Sequence, residues 1–357
     1  MNRSNLIATR IRQDVQSMHA YAIQESRGLV KLDAMENPHR LSPDLRRQLG
    51  ERLAEVALNR YPGARIDELR AALARHAKMP EGFSLMLGNG SDELISLVAM
   101  ACDVPGASIL APLPGFVMYA MSAQLQGLKF IGVDLTPDFE LDERAMLAAI
   151  EQHQPSVVYL AYPNNPTANL WDDAVIEKIV QAAPGLVVID EAYQPFASRS
   201  YIDRVAKHEH VLLMRTMSKF GLAGVRIGYM MGPAALVAEI DKVRPPYNIS
   251  VLNCEAALFA LEHESVFAAQ AQEIREERSR IQRELSRMPG VKAWPSDANM
   301  ILVRVPDAAR AFDGMKARGV LVKNVSRMHP LLANCLRLTV GTADENTQML
   351  AALQASL

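Results

Sequence analysis

The chain has 357 residues, 49% of them hydrophobic, which is enough for about two domains with buried cores. Lys+Arg 38 against Asp+Glu 40 leaves a net charge of −2, so nothing supplies the field that a nucleic-acid or anionic-membrane binder uses. Cys102, Cys254 and Cys335 are odd in number and widely spaced, and the eight histidines lack ligand spacing, so neither disulfides nor a metal site is expected.

No apolar run approaches ~20 residues, and the start Met1-Asn-Arg-Ser-Asn-Leu-Ile lacks the apolar core of a signal peptide. A cytoplasmic protein whose partners are small molecules or another copy of itself is the expectation.

Residues 1–41 read as an arm packing with the C-terminal part, ending in Leu32-Asp-Ala-Met-Glu-Asn-Pro38. Ser42 as N-cap and Pro43 at the first helical position predict a helix to about residue 58, broken by Asn59-Arg-Tyr-Pro-Gly63. A second helix covers about 66–78, and Leu87-Gly-Asn-Gly-Ser-Asp92 turns directly into an apolar helix, a candidate anion site. Strands at 108–111, 130–133, 157–161, 186–190 and 211–214 then alternate with helices starting at Gly115, Asp142 and Asp172. Near-continuous apolar strands separated by helices predict a mostly parallel sheet covered on both faces. Residues 42–248 thus form a three-layer α/β domain; a charged helix over about 250–288 links it to a smaller α/β domain at 289–357.

In such a sheet, ligands bind beyond the carboxyl ends of the strands. Four segments fall there: Gly88-Asn-Gly-Ser-Asp92, Pro163-Asn-Asn-Pro-Thr167, Asp190-Glu-Ala-Tyr193 and the loop carrying Lys219. A lysine between two buried strands needs a reason, because a buried ammonium costs several kcal/mol unless its pKa falls or the amine is used chemically. Schiff-base formation is such a use.

An aromatic aldehyde cofactor bearing a phosphate finds a partner for every polar group. Lys219 meets the aldehyde and Asp190 the pyridine nitrogen, while Tyr193 and Asn165 can hydrogen-bond the ring hydroxyl. The Gly90-Ser91-Asp92 turn and Arg226 suit a phosphate dianion, with hydroxyls from Thr216 and Ser218, and Phe116 offers an aromatic face. That cofactor is pyridoxal phosphate.

Singly, each motif has a bland explanation: a loop lysine is usually solvated, and Asp190-Glu191 could be a helix cap or a metal site. The joint order overturns this, because LDAMENP (32–38), RYPG (60–63), GNGSDELI (88–95), PGFVMY (114–119), PNNPTA (163–168), DEAYQPF (190–196), RTMSKFGLAGVRIGY (215–229), VRPPYNIS (243–250) and CLRLTVGT (335–342) resemble the fold-type I pyridoxal-phosphate aminotransferases. Within that family they most resemble the histidinol-phosphate aminotransferases.

The resemblance implies that Lys219 is the Schiff-base lysine and proton shuttle. It also implies that Tyr61 reaches the cofactor phosphate of a neighbouring subunit in a homodimer with shared sites. Arg337, Lys323, Tyr21, Asn37 and Asn165 would contact substrate, and the reaction would pass an amino group from L-histidinol phosphate to 2-oxoglutarate. An amino-acid aminotransferase and a threonine-phosphate-like decarboxylase share the cofactor site and stand as alternatives; a non-catalytic cofactor-binding regulator is disfavoured by the complete acid/base set. The chain departs from the family at Met35, often Asn, at Ala168, often Gly, at Phe116, often Tyr, and at Lys323, an arginine in some relatives. Seven positions, where many relatives have eight, separate Lys219 from Arg226.

Overall fold

The computed structural model describes residues 3–18 and 24–357. Strand β1 (Val30–Lys31) precedes a seven-stranded sheet made of β2 (Phe83–Gly88), β3 (Ser108–Leu113), β4 (Lys129–Asp134), β5 (Val157–Ala161), β6 (Leu186–Asp190), β7 (Val211–Thr216) and β8 (Gly228–Pro233). Its order is β2-β8-β7-β6-β5-β3-β4. Only β8 runs against its neighbours, pairing antiparallel with both β2 and β7. The fold is therefore the three-layer, mostly parallel α/β class expected.

The layers follow from alternation along the strands. Val187, Ile189, Val211 and Leu213 enter one buried cluster, whereas Val188, Leu212 and Met214 enter the cluster on the opposite face. Each such side chain contributes about 1.5–3 kcal/mol on burial, so a continuous apolar strand is stable only between two helical layers.

Helix starts match the sequence chemistry. Ser42 accepts from the Leu45 N–H at 3.3 Å, Asp142 from Ala145 at 2.9 Å and Asp172 from Ala174 at 2.7 Å. The helix begun at Pro43 stops at Ala54, four residues short of the predicted end. The helix expected from Gly115 begins at Val117.

The predicted long helix is two helices, Val251–Glu262 and Glu264–Leu285. His263 divides them: its Nδ1 lies 2.8 Å from the Phe259 carbonyl, and its own N–H turns back to Ala260 at 3.1 Å. A ring that occupies the i−4 carbonyl displaces the helical bond there, and the chain tightens and ends.

A four-stranded antiparallel sheet, β12-β13-β10-β9, follows, built from β9 (Lys292–Ala293), β10 (Met300–Arg304), β12 (Lys323–Asn324) and β13 (Cys335–Thr339). Beside it β11 (Val320–Leu321) pairs in parallel with β1. Residues 30–31 are thereby tied to the C-terminal part of the chain. Among the described residues no helix is long and apolar enough to cross a membrane.

Candidate active site

The carboxyl ends of β5, β6 and β7 converge on a cleft of about 350 Å³. Lys219, Asp190, Tyr193, Asn165, Phe116, Ser91, Asp92, Thr216, Ser218 and Arg226 all line it. Residues separated by more than a hundred positions meet because each follows a strand of one sheet, where the backbone leaves the ladder and side chains are free to point inward.

Lys219 faces the cavity and donates from Nζ to the Ala34 carbonyl at 3.0 Å. Burial, and then the nearby Arg337 cation, push its amine down to about 8, which makes a sizeable share of neutral amine available near neutral pH. Asp190 closes β6. Its Oδ2 accepts from the Tyr119 hydroxyl at 2.7 Å and its Oδ1 from the Ala192 N–H at 3.0 Å. Burial raises the carboxyl to about 6, against the pull of those two donors. Tyr193, 5% exposed, is held protonated above the ordinary phenol range by burial, with Arg337 opposing.

The anion cradle is built from backbone. Gly90 caps the helix Ser91–Ala101 with no side-chain bond to its first N–H groups. A Cβ at Gly90, whose φ is +83°, would overlap the Arg226 guanidinium, and one at Gly228 would sit 2.5 Å from the Gly90 carbonyl carbon. Arg226 lies 3.5 Å from Ser218 Oγ and 3.4 Å from Asp92 Oδ2. Uncapped N–H groups, a guanidinium and a hydroxyl, drawn together by close approaches that two glycines allow, fit a phosphate dianion. The Asp92 carboxylate pairs with the arginine.

Other expected residues fall elsewhere. Arg337 on β13, 7% exposed, donates to Asn165 Oδ1 and to the Asp33 carbonyl, both at 2.7 Å, and so adjoins the cleft from the smaller sheet. Lys323 stands opposite Arg337 in the β12–β13 register but does not line the cleft. Asn37 is spent on structure: its amide donates to Gln270 at 3.0 Å and to the Phe220 carbonyl at 3.4 Å. Tyr61 is 75% exposed and stacks on Tyr247 at 4.3 Å, away from the cleft of its own chain. Tyr21 lies outside the described residues.

Two of the departures from the family sequence occupy left-handed backbone, Met35 at φ +52° and Ala168 at φ +65°. Asparagine and glycine, the usual residues, tolerate that conformation better. The strain of ~1–2 kcal/mol at Met35 is offset by burial of its side chain in the core of the smaller sheet.

Three contributors were not singled out from the sequence. Tyr119 lay unnoticed inside the apolar PGFVMY, the Ala34 carbonyl has no side-chain signal at all, and Glu36, paired with Lys31, lines the cleft wall. A tyrosine three positions after the aromatic at the helix start is a usable clue for the first.

The layers and the cleft define a fold-type I pyridoxal-phosphate enzyme. Residues 27–353 match the family described as Aminotransferase class I and II, and the chain belongs to that family. It is 76% identical to a histidinol-phosphate aminotransferase of Polaromonas naphthalenivorans, over 97% of this chain and 96% of that protein. The identity is 73% to one of Methylibium petroleiphilum, over 98% and 95%. The fold superposes on the histidinol-phosphate aminotransferase of Sinorhizobium meliloti in complex with pyridoxal-5′-phosphate with a TM-score of 0.85, at 24% identity and 97% coverage of each chain. The protein is a transaminase, and pyridoxal phosphate is its cofactor.

Proposed function

We propose that the chain moves the amino group of L-histidinol phosphate to 2-oxoglutarate, giving imidazole-acetol phosphate and L-glutamate, a step of histidine biosynthesis. The observation that carries this is identity of 66–76% along nearly the whole chain to proteins of that name. When bound, pyridoxal phosphate supplies an electron sink for the pair left by the broken Cα–H bond.

The protein's own groups do the rest. Lys219, with its lowered pKa, is the amine that would hold the cofactor aldehyde and, when free, would carry the proton from the substrate carbon. Asp190 would meet the ring nitrogen and stabilise positive charge there, Asn165 and Tyr193 would meet the ring hydroxyl, and Phe116 would cover the ring face. Gly90, Ser91, Asp92, Thr216, Ser218 and Arg226 fix the phosphate and hence the ring position. Histidinol phosphate has no α-carboxylate, so one cationic region must accept both its phosphate and the carboxylates of glutamate. Arg337 heads it; Tyr21 and Lys323 are further candidates on the family resemblance alone, and Asn37 is held by Gln270 and the Phe220 carbonyl.

The unit is a homodimer in which the exposed Tyr61 of each chain completes the phosphate site of the other. The division into an arm at 1–41, a cofactor domain at 42–248, a connecting segment and a small domain at 289–357 belongs to the same proposal, as does a cytoplasmic location.

Steady-state kinetics with histidinol phosphate, phenylalanine, aspartate and phosphothreonine as donors test the assignment. The highest kcat/KM is expected for histidinol phosphate, without release of carbon dioxide. Carbon dioxide release from phosphothreonine, or a clear preference for donors with an α-carboxylate, refutes it.

A further inference from the structure

Tyr119, on the helix Val117–Gln126, is 2% exposed and donates to Asp190 Oδ2 at 2.7 Å. Its ring lies flat on Tyr159, with centroids 4.4 Å apart and planes at 10°, and Tyr159 in turn reaches the Ile95 carbonyl at 3.4 Å. The phenol is therefore fixed in place and in rotation. Phe116, three positions earlier, packs T-shaped with the Tyr119 ring, with centroids 5.6 Å apart and planes at 85°. One buried side chain thus touches both groups that a pyridine ring must meet, the aromatic face and the carboxylate.

We propose that Tyr119 is a positioning residue for the cofactor ring: its hydroxyl aims Asp190 and keeps it ionised, while its ring props Phe116. The proposal rests on pyridoxal phosphate occupying the cleft, and not on which donor is used. Asp190 is faced by Tyr119 from one helix, by Asp92 from the helix Ser91–Ala101, by Glu191 and Tyr193 from its own strand end and by Tyr159 from β5. Burial and the like charges of Asp92 and Glu191 favour the neutral carboxyl, and the Tyr119 hydroxyl is the side chain that opposes them. A hydrogen bond to a charged group of this kind is worth about tenfold in the protonation equilibrium. Without it, the proton shared between Asp190 and the ring nitrogen moves towards the carboxyl, leaving a neutral pair in place of an ion pair and a weaker electron sink.

Tyr119→Phe keeps the ring and removes the oxygen; Tyr119→Leu removes both. The enzymes are loaded with pyridoxal phosphate labelled with nitrogen-15 in the ring, and binding is verified by visible absorbance. Wild type is expected to show a protonated ring nitrogen. In Tyr119→Phe the signal moves towards the unprotonated range and kcat falls with the donor KM retained; in Tyr119→Leu cofactor affinity falls severalfold as well. In the cofactor-free proteins the carbon-13 carboxyl signal of Asp190, assigned with Asp190→Asn, should titrate about one pH unit higher in Tyr119→Phe than in wild type. A nitrogen signal in Tyr119→Phe coincident with wild type overturns the proposal, whatever happens to turnover. If that variant fails to hold cofactor, an unchanged carboxyl titration overturns it. Wild-type protein that takes up no cofactor overturns the cofactor assignment instead.

Discussion

Cofactor capture should depend on pH in a way set by Lys219. The amine is pushed down to about 8 by burial and by Arg337. It is protonated and unreactive below that value and neutral above it. At pH 7 roughly a tenth of the molecules then carry a neutral amine, against about three in ten thousand for an ordinary lysine, a gain of about 300-fold in reactive species. The second-order rate of pyridoxal phosphate capture by cofactor-free enzyme, followed by stopped-flow absorbance, should rise about tenfold per pH unit up to about 8 and flatten beyond it. Dividing by the rate with a small amine of known pKa removes the cofactor's own ionisations. Arg337→Gln removes the second cause of the shift, so the break should move to higher pH. A corrected rate that climbs without a break to pH 10 refutes the claim that the site depresses this amine.

Lys219→Ala should lose both the visible absorbance of bound cofactor and turnover; a normal rate in that variant sinks the mechanism. Gly90→Ala puts a methyl group where the Arg226 guanidinium lies, at φ +83°, so cofactor dissociation constants measured by equilibrium dialysis should rise at least tenfold, and an unchanged constant would show that the cradle does not hold the phosphate. Glu191, fully buried, accepts from Arg215 at 2.8 Å and from Ser200 at 2.9 Å, so Glu191→Gln leaves a buried guanidinium short of its counter-ion and should cost about 3–5 kcal/mol in urea unfolding. A loss under 1 kcal/mol would place that pair among the weakly coupled ones. Coexpressing Tyr61→Ala with Lys219→Ala should restore about a quarter of wild-type activity through mixed dimers, each with one intact site; no recovery, with mixed dimers present, rejects shared sites.

What was legible in the sequence follows from how local the signal is. β5, β6 and β7 are continuous apolar runs because both of their faces are covered, and the residues just after them had to be the site in a sheet of this class. Asp190, Asn165 and Lys219 could therefore be placed before any geometry was known. β8 was visible as a second apolar run, but nothing in a run of residues states its direction, and its antiparallel course emerged only from pairing. The break at His263 was hidden because one imidazole in competition with one backbone N–H leaves no mark on hydrophobic periodicity. Tyr119 was hidden for a different reason: in an apolar helix a tyrosine reads as packing, and its hydroxyl acquires a role only from Asp190, 71 positions away.

The stretch Asp33–Met35 offers three consecutive carbonyls to three separate donors. Asp33 receives Arg337, Ala34 receives Lys219 and Met35 receives the Asn299 amide at 3.0 Å. Arg337 lies on β13 and Asn299 just before β10, whereas Lys219 lies in the turn after β7. Engaging Lys219 elsewhere would cost the middle carbonyl this donor and leave the two flanking bonds in place. Neighbouring carbonyls of one short segment thus anchor both Arg337, on the smaller sheet, and Lys219, in the loop after β7.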